Sequence, residues 1–403
     1  MREMKQLFMP IYSKIKQHTG TLLVELRRLL FVCILFSSCR DEVEIYVPDV
    51  IQTSIPEYTD IQGFYLLNEG NMGSNKSTLD YYNYRTGEYT RNIFGAANPT
   101  VPKEMGDVGN DIKIYGSKLY AVINCSNKID VMDKYTAKKV GQIDIPNCRY
   151  IRFYKGYAYV TSYAGPVELN PDYKQTGYVA KVDTATFEVV DRCLVGFQPD
   201  ELEIVNKKIY VANSGGYMFP NYENTVSVID IESFTETKRI EVAINLHRLR
   251  ADRHGNLWVS SRGDYYYTPS RLYWINTNTD TLMDSLEIAV SNFHVDGDSL
   301  YIYSTEWSYI NMGNVITYGI VDVAKKEIVT KNFITDGTDT KIKIPYGIMV
   351  NPITKDIYVT DAKNYVSPGT LYCFDKYGKQ KWNVRTGDIP AHFVFLGKNK
   401  NEN

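Results

Sequence analysis

The chain has 403 residues, is 44% hydrophobic and carries a net charge of −2, so it holds enough apolar material for a sizeable core. Residues 1–38 contain six Lys/Arg and two Asp/Glu; the remainder has 39 basic and 45 acidic residues, a net of −6. A mildly acidic body with no Lys/Arg stripe argues against nucleic acid as a partner.

The first recognisable feature in chain order is Arg27-Arg28, followed by an apolar run from Leu29 to Phe36 and then Ser37, Ser38 and Cys39. A basic pair, a short apolar run and small residues before a cut site describe an export signal. About eight apolar residues are too few to span a bilayer. Small residues directly before a cysteine resemble the lipobox of bacterial lipoproteins, although Phe36 stands where that family more often has Leu. The resemblance implies lipidation at Cys39, with residues 1–38 removed and the protein held at the outer membrane by its lipid. Residues 1–26 are long for such a signal, as an early-called start codon would make them. Arg40 to Glu44 is similar to the acidic tag of surface-exposed lipoproteins of Bacteroidota, which implies that the protein faces the cell exterior. Residues 39–60, with Pro48 and Pro56, read as the lipidated end and a tether.

From residue 61 one pair of short segments recurs to the end of the chain. The first member is an apolar-aromatic-apolar strand with Tyr65, Tyr120, Tyr159, Tyr210, Trp258, Tyr301 or Tyr358 at its centre. Aromatic residues suit a half-buried pleated surface, which accounts for many of the 34 tyrosines. The second member ends at Asn83, Asp133, Asp183, Asp230, Asn276, Asp322 and Asp375, at steps of 50, 50, 47, 46, 46 and 53 residues. A period of about 40–50 residues with several strands per unit marks a β-propeller. Seven copies predict an all-β, seven-bladed propeller over residues 61–397, with a polar tail at 398–403.

Each unit divides into strands A to D, the A strand innermost. In blade four these are residues 201–204, 208–213, 225–229 and 236–240. The recurring Asp or Asn opens a four-residue turn, where its side chain caps the backbone, so it is structural and not catalytic. Blade one starts at its B strand, while a spare A-type segment, Ala391 to Leu396, ends the chain. Pairing the two closes the ring and removes the seam at which it would open.

A strands line the channel of a propeller. Aligned on the repeat, they place Asp111, Tyr150, Glu201, Arg248, Asn292, Gly347 and His392 at the channel mouth. The B–C loops share that face. Blade two has almost none, whereas others are long and aromatic: Tyr217, Phe219 and Tyr222 in blade four, Tyr265 and Tyr266 in blade five, Trp307 and Tyr309 in blade six, Tyr365 in blade seven. Loops are ordinarily polar, so aromatics gathered on one face point to a large, part-polar ligand or a protein partner. Packing of the loops on one another is the competing expectation.

Signals for chemistry are scarce. There is no G-x-S-x-G, P-loop or H-E-x-x-H pattern. His247, His294 and His392 begin A strands but fall in different registers, so no metal site and no cofactor are expected. Asp200 and Glu201 are adjacent and point to opposite faces of a strand. Cys125, Cys148, Cys193 and Cys373 have no metal-ligand spacing; Cys125 and Cys148 are expected in loops on one face, where a disulfide or simple burial would serve.

With these residues in place, the repeat resembles the YncE-like seven-bladed propellers, also described as quinoprotein-dehydrogenase-like repeats, over residues 61–396. The opening Gly63 to Gly73 looks like the start of a DUF5074-like domain, common in surface lipoproteins of Bacteroidota. Among such lipoproteins are the cobamide-capturing propellers of the BtuG group, which hand vitamin B12 to a TonB-dependent transporter. The resemblance implies a surface-anchored protein that captures a nutrient on its aromatic loop face and works with an outer-membrane transporter. Two further classes stand beside it: a lactonase-type enzyme with a metal in the channel, and an adhesion scaffold that binds protein or glycan.

Overall fold

A computed structural model describes residues 46–54, 60–308 and 313–397. Cys39, expected to be lipidated, lies outside these residues, as do the export signal and the polar tail.

Seven antiparallel sheets follow one another along the chain, six of four strands and one of five. Each A strand packs against the A strands of the blades on either side, round a closed ring. The seven-bladed propeller is therefore the observed fold. Blade four runs Pro199–Val205, Lys208–Asn213, Thr225–Asp230 and Thr235–Glu241, within two residues of the sequence reading. The ring closes as expected: Pro390–Gly397 pairs antiparallel with Ile61–Asn68, with Phe64 opposite Phe395 and Leu66 opposite Phe393. One strand was not foreseen. Val50–Gln52, read from sequence as part of a tether, pairs with Glu88–Thr90 and adds a fifth strand to blade one. Its residues are largely exposed, so no period-2 burial pattern marks it.

The core consists of seven apolar clusters, each between two neighbouring blades. Here the recurring aromatic has its reason. Six of the seven are buried and Tyr301 is half-buried. Three of their polar tips bond into the next blade: Tyr65 Oη donates to the Lys134 carbonyl at 2.8 Å, Tyr210 Oη to Asp280 Oδ1 at 2.5 Å, and Tyr358 Oη meets Tyr84 Oη at 2.6 Å. One residue type thus fills an interblade gap and fixes its register. The recurring carboxylate caps its turn as expected. Asp230 Oδ1 accepts from the backbone N–H groups of Glu232 and Ser233, and Asp183 Oδ1 from those of Ala185 and Thr186.

The four cysteines 125, 148, 193 and 373 carry free thiols, so the disulfide option is not realised. Cys148 begins an A strand instead of lying in a loop; its buried thiol donates to the Lys128 carbonyl, and burial pushes its pKa up to about 12.

Candidate functional site

A meander of four strands puts the B–C and D–A connections of every blade at one end of the ring. That end carries an exposed aromatic rim, and beneath it the channel holds a buried network of charges.

The rim is contributed mainly by blades four and five. Gly263 sits at φ +65°, where a Cβ would meet the Thr268 carbonyl at 1.9 Å, so the chain can make this bend only with glycine. Asp264 Oδ1 then accepts from the backbone N–H groups of Tyr266, Tyr267 and Thr268 at 2.7–2.9 Å. The loop is tied to itself, and its side chains point outward: Tyr265 is 65%, Tyr266 64% and Tyr267 95% exposed. Phe219 of blade four, 46% exposed, stands with its ring centroid 6.0 Å from those of both Tyr266 and Tyr222. Tyr365 of blade seven is exposed too and meets the edge of Tyr346 at 5.9 Å. Tyr217 behaves differently. Half-buried, it packs edge-on against Tyr163 of blade three, and its carbonyl accepts from Asn170 N–H. Blade-three and blade-four loops thus do pack on each other, while Phe219 and the three tyrosines of blade five remain exposed. Tyr309 and the side chain of Trp307 lie outside the described residues.

The A-strand residues expected at the channel mouth line the channel, but they are buried within it and not at a water-filled opening. Asp111, Tyr150, Glu201, Arg248, Asn292 and His392 are all less than 8% exposed, and Gly347 is buried as well. The reason is a set of partners that alignment of the repeat does not show. One residue before the aligned position, Arg149 and Asp200 form the upper cluster: Arg149 Nη2 lies 3.0 Å from Asp200 Oδ1, and Arg262 Nη1 lies 3.1 Å from Oδ2. Tyr163 Oη donates to Asp200 Oδ1 at 2.9 Å, while the Arg149 guanidinium lies 4.8 Å from the centre of the Tyr163 ring. Burial would raise the Asp200 carboxyl, but Arg149 and Arg262 outweigh it and hold the group below its usual range.

Two residues after the aligned position lies the lower cluster. Arg152 reaches Asp111 at 3.1 Å, Glu201 at 2.7 Å and Glu203 at 3.4 Å. Lys113 pairs with Asp111 at 2.5 Å and Arg250 with Glu201. Burial acts to raise the Glu201 carboxyl, yet Arg250, Arg152 and Arg248 together bring it down to about 2. Asp200 and Glu201, adjacent in sequence, therefore serve two separate networks, as their opposite facing predicts.

The three histidines also separate. His247 Nε2 is 3.3 Å from Tyr150 Oη, His392 Nε2 is 2.9 Å from Glu69 Oε1, and His294 lines the channel cavity. Burial drives all three pKa values down, that of His294 to about 3, so the imidazoles are neutral near pH 7. Among the described residues, no group of three or more His, Cys, Asp or Glu is arranged to hold a metal ion.

A family model described as a domain of unknown function, DUF5074, matches residues 62–396. The chain belongs to that family. The match begins and ends with the propeller, so the DUF5074 domain here is the complete ring, from the first B strand to the closing A strand. No curated protein matches the chain. Among solved structures, this DUF5074 propeller is similar to a putative 6-phosphogluconolactonase from Bacteroides fragilis, at 12% identity and a TM-score of 0.57, covering 84% of this chain and 99% of the other. It is similar to Kuenenia stuttgartiensis hydrazine synthase at 15% identity and 0.53, covering 66% and 76%. A quinonprotein alcohol dehydrogenase-like protein from Bacteroides thetaiotaomicron gives 12% and 0.51, covering 84% and 79%. At these identities the likeness shows a shared fold.

Arg149, Arg152, Arg262, Lys113, Arg250 and Glu69 were not singled out from the sequence. A usable signal exists for some: Arg149 and Arg152 flank Tyr150 inside an otherwise apolar A strand, and charges in an inner strand demand buried partners.

Proposed function

We propose that this DUF5074 propeller is a binding protein, and that its ligand is held on the aromatic rim formed by blades four and five. The observation that carries this reading is the row Tyr265, Tyr266 and Tyr267, exposed on a loop whose backbone is fixed by Asp264. Rigid aromatics with polar tips give large contact area at low entropic cost, which suits a large, part-polar molecule. A cobamide is such a molecule and remains the first candidate; a glycan is the second. On the same proposal Cys39 is acylated, the propeller stands outside the outer membrane, and the captured nutrient passes to a TonB-dependent transporter.

Catalysis is less well supported. The lactonase-like and dehydrogenase-like neighbours share a fold with this chain, but its channel carboxylates Asp111 and Glu201 are each occupied by Arg or Lys, which leaves neither available as a general base.

Calorimetric titration of residues 40–403 with cyanocobalamin, and separately with a panel of oligosaccharides, tests the binding reading. Saturable binding that is lost in a Tyr265→Ala/Tyr266→Ala double variant supports it. Absence of any small ligand, with the same variant losing only co-purification with another protein, would replace capture by scaffolding.

A further inference from the structure

Among the described residues, the cations of the channel and upper cluster are matched to carboxylates with one exception. Arg152 is held by three, Lys113 by Asp111, Arg250 by Glu201, and Arg149 and Arg262 share Asp200. Arg248 has no carboxylate within ion-pair distance. It is 6% exposed, its Nη1 donates to Tyr150 Oη at 2.8 Å, and its Nε has no hydrogen-bond partner. A guanidinium stays charged at any physiological pH. Glu201 and Glu69 favour its charge from beyond ion-pair distance and the Tyr150 ring lies 5.2 Å away, yet its Nε remains a buried donor that an anion of matching geometry can satisfy.

Arg248 lines a cavity of about 230 Å³ in the channel. Lys113 and Arg250 also lie on its wall, as does Asp111, which Lys113 and Arg152 neutralise; Asn292, His294 and His392 add polar groups, and Ile348, Met349 and Phe393 form an apolar side. The volume is below the range of about 300–1,000 Å³ that holds drug-sized ligands. With Asp111, Lys113 and Arg250 already paired, Arg248 is the charge on this wall that lacks a direct counter-ion, and beside the apolar side it suits a small amphiphile with one anionic end. We propose that the channel binds a small organic carboxylate, its carboxylate paired with Arg248 and its apolar body against Ile348, Met349 and Phe393. The planar fork of arginine matches a carboxylate in geometry as well as charge. This site is separate from the aromatic rim and does not depend on the rim's ligand.

The test is the thermal unfolding of residues 40–403 in sodium benzoate, sodium hexanoate, inorganic phosphate and sodium chloride at equal ionic strength. Benzoate and hexanoate are expected to raise Tm in a saturable way that chloride and phosphate do not match. Arg248→Met, which removes the unpaired charge, should fold and weaken the benzoate effect by roughly tenfold or more. Met349→Trp, which fills the cavity and leaves Arg248 in place, should weaken it as well and decides the matter if Arg248→Met does not fold. Tyr265→Ala/Tyr266→Ala should keep the benzoate effect intact, so failure at the rim and failure in the channel are read apart. No carboxylate-specific rise in Tm, an equal rise in phosphate, or a rise that survives in both Arg248→Met and Met349→Trp would each overturn the proposal.

Discussion

The channel and the aromatic rim lie at the same end of the ring and manage polar groups in opposite ways. In the channel, charges are buried and, Arg248 apart, matched, so each one answers to its neighbours; Asp200 of blade four alone joins Arg149 and Tyr163 of blade three to Arg262 of blade five. On the rim, Tyr265, Tyr266 and Tyr267 have hydroxyls in water and a backbone held by a single carboxylate. Removing a channel group should therefore cost stability, and removing a rim group should cost binding.

The sharpest way to break this contrast is Asp200→Ala. It leaves two partly buried guanidiniums without their carboxylate and should destabilise the fold by about 3 kcal/mol, read from urea unfolding. A rim-sized effect would mean that water already solvates the cluster. Acid provides the next test. The folded Glu201 carboxyl is held at about 2 against an ordinary 4.5, so its contribution is fully present above pH 4.5 and is lost as pH falls toward 2. Stability should drop by about 3 kcal/mol across that window, and the drop should be smaller in Glu201→Gln. An unchanged pH profile in that variant would remove Glu201 from the network.

Tyr163→Phe keeps the ring under Arg149 and deletes only the hydroxyl that donates to Asp200. A loss of about 1.5 kcal/mol is expected. The smallest effect belongs to the rim: Tyr266→Ala/Tyr267→Ala should change stability by no more than about 0.5 kcal/mol. A loss of several kcal/mol there would show that the rim is part of the packed structure, and the contrast would disappear.

The fold was legible because a propeller is built from local signals that repeat. Tyr210 and Asp230 recur in register across the units, and each copy reports the same interblade gap and the same turn. The rim was half legible. Its aromatics stand out as composition, but the division between packed Tyr217 and exposed Tyr266 depends on which neighbouring loop is within reach. The outer strand Val50–Gln52 was illegible, because three exposed residues at a sheet edge have no burial pattern to read.

By itself the sequence determined the number of blades, the four-stranded plan they share and the closure of the ring by residues 391–396, since these follow from period, turn chemistry and a spare strand at the end. Only the tertiary structure decided which charges meet. Asp200, Arg149 and Arg262 come from different blades, the two arginines 51 and 62 residues from the carboxylate they share, and nothing in a repeat of about 49 residues encodes that meeting. The same holds for Arg248. Its alignment places it among the channel residues, but that it alone lacks a carboxylate depends on distances set by the closed ring.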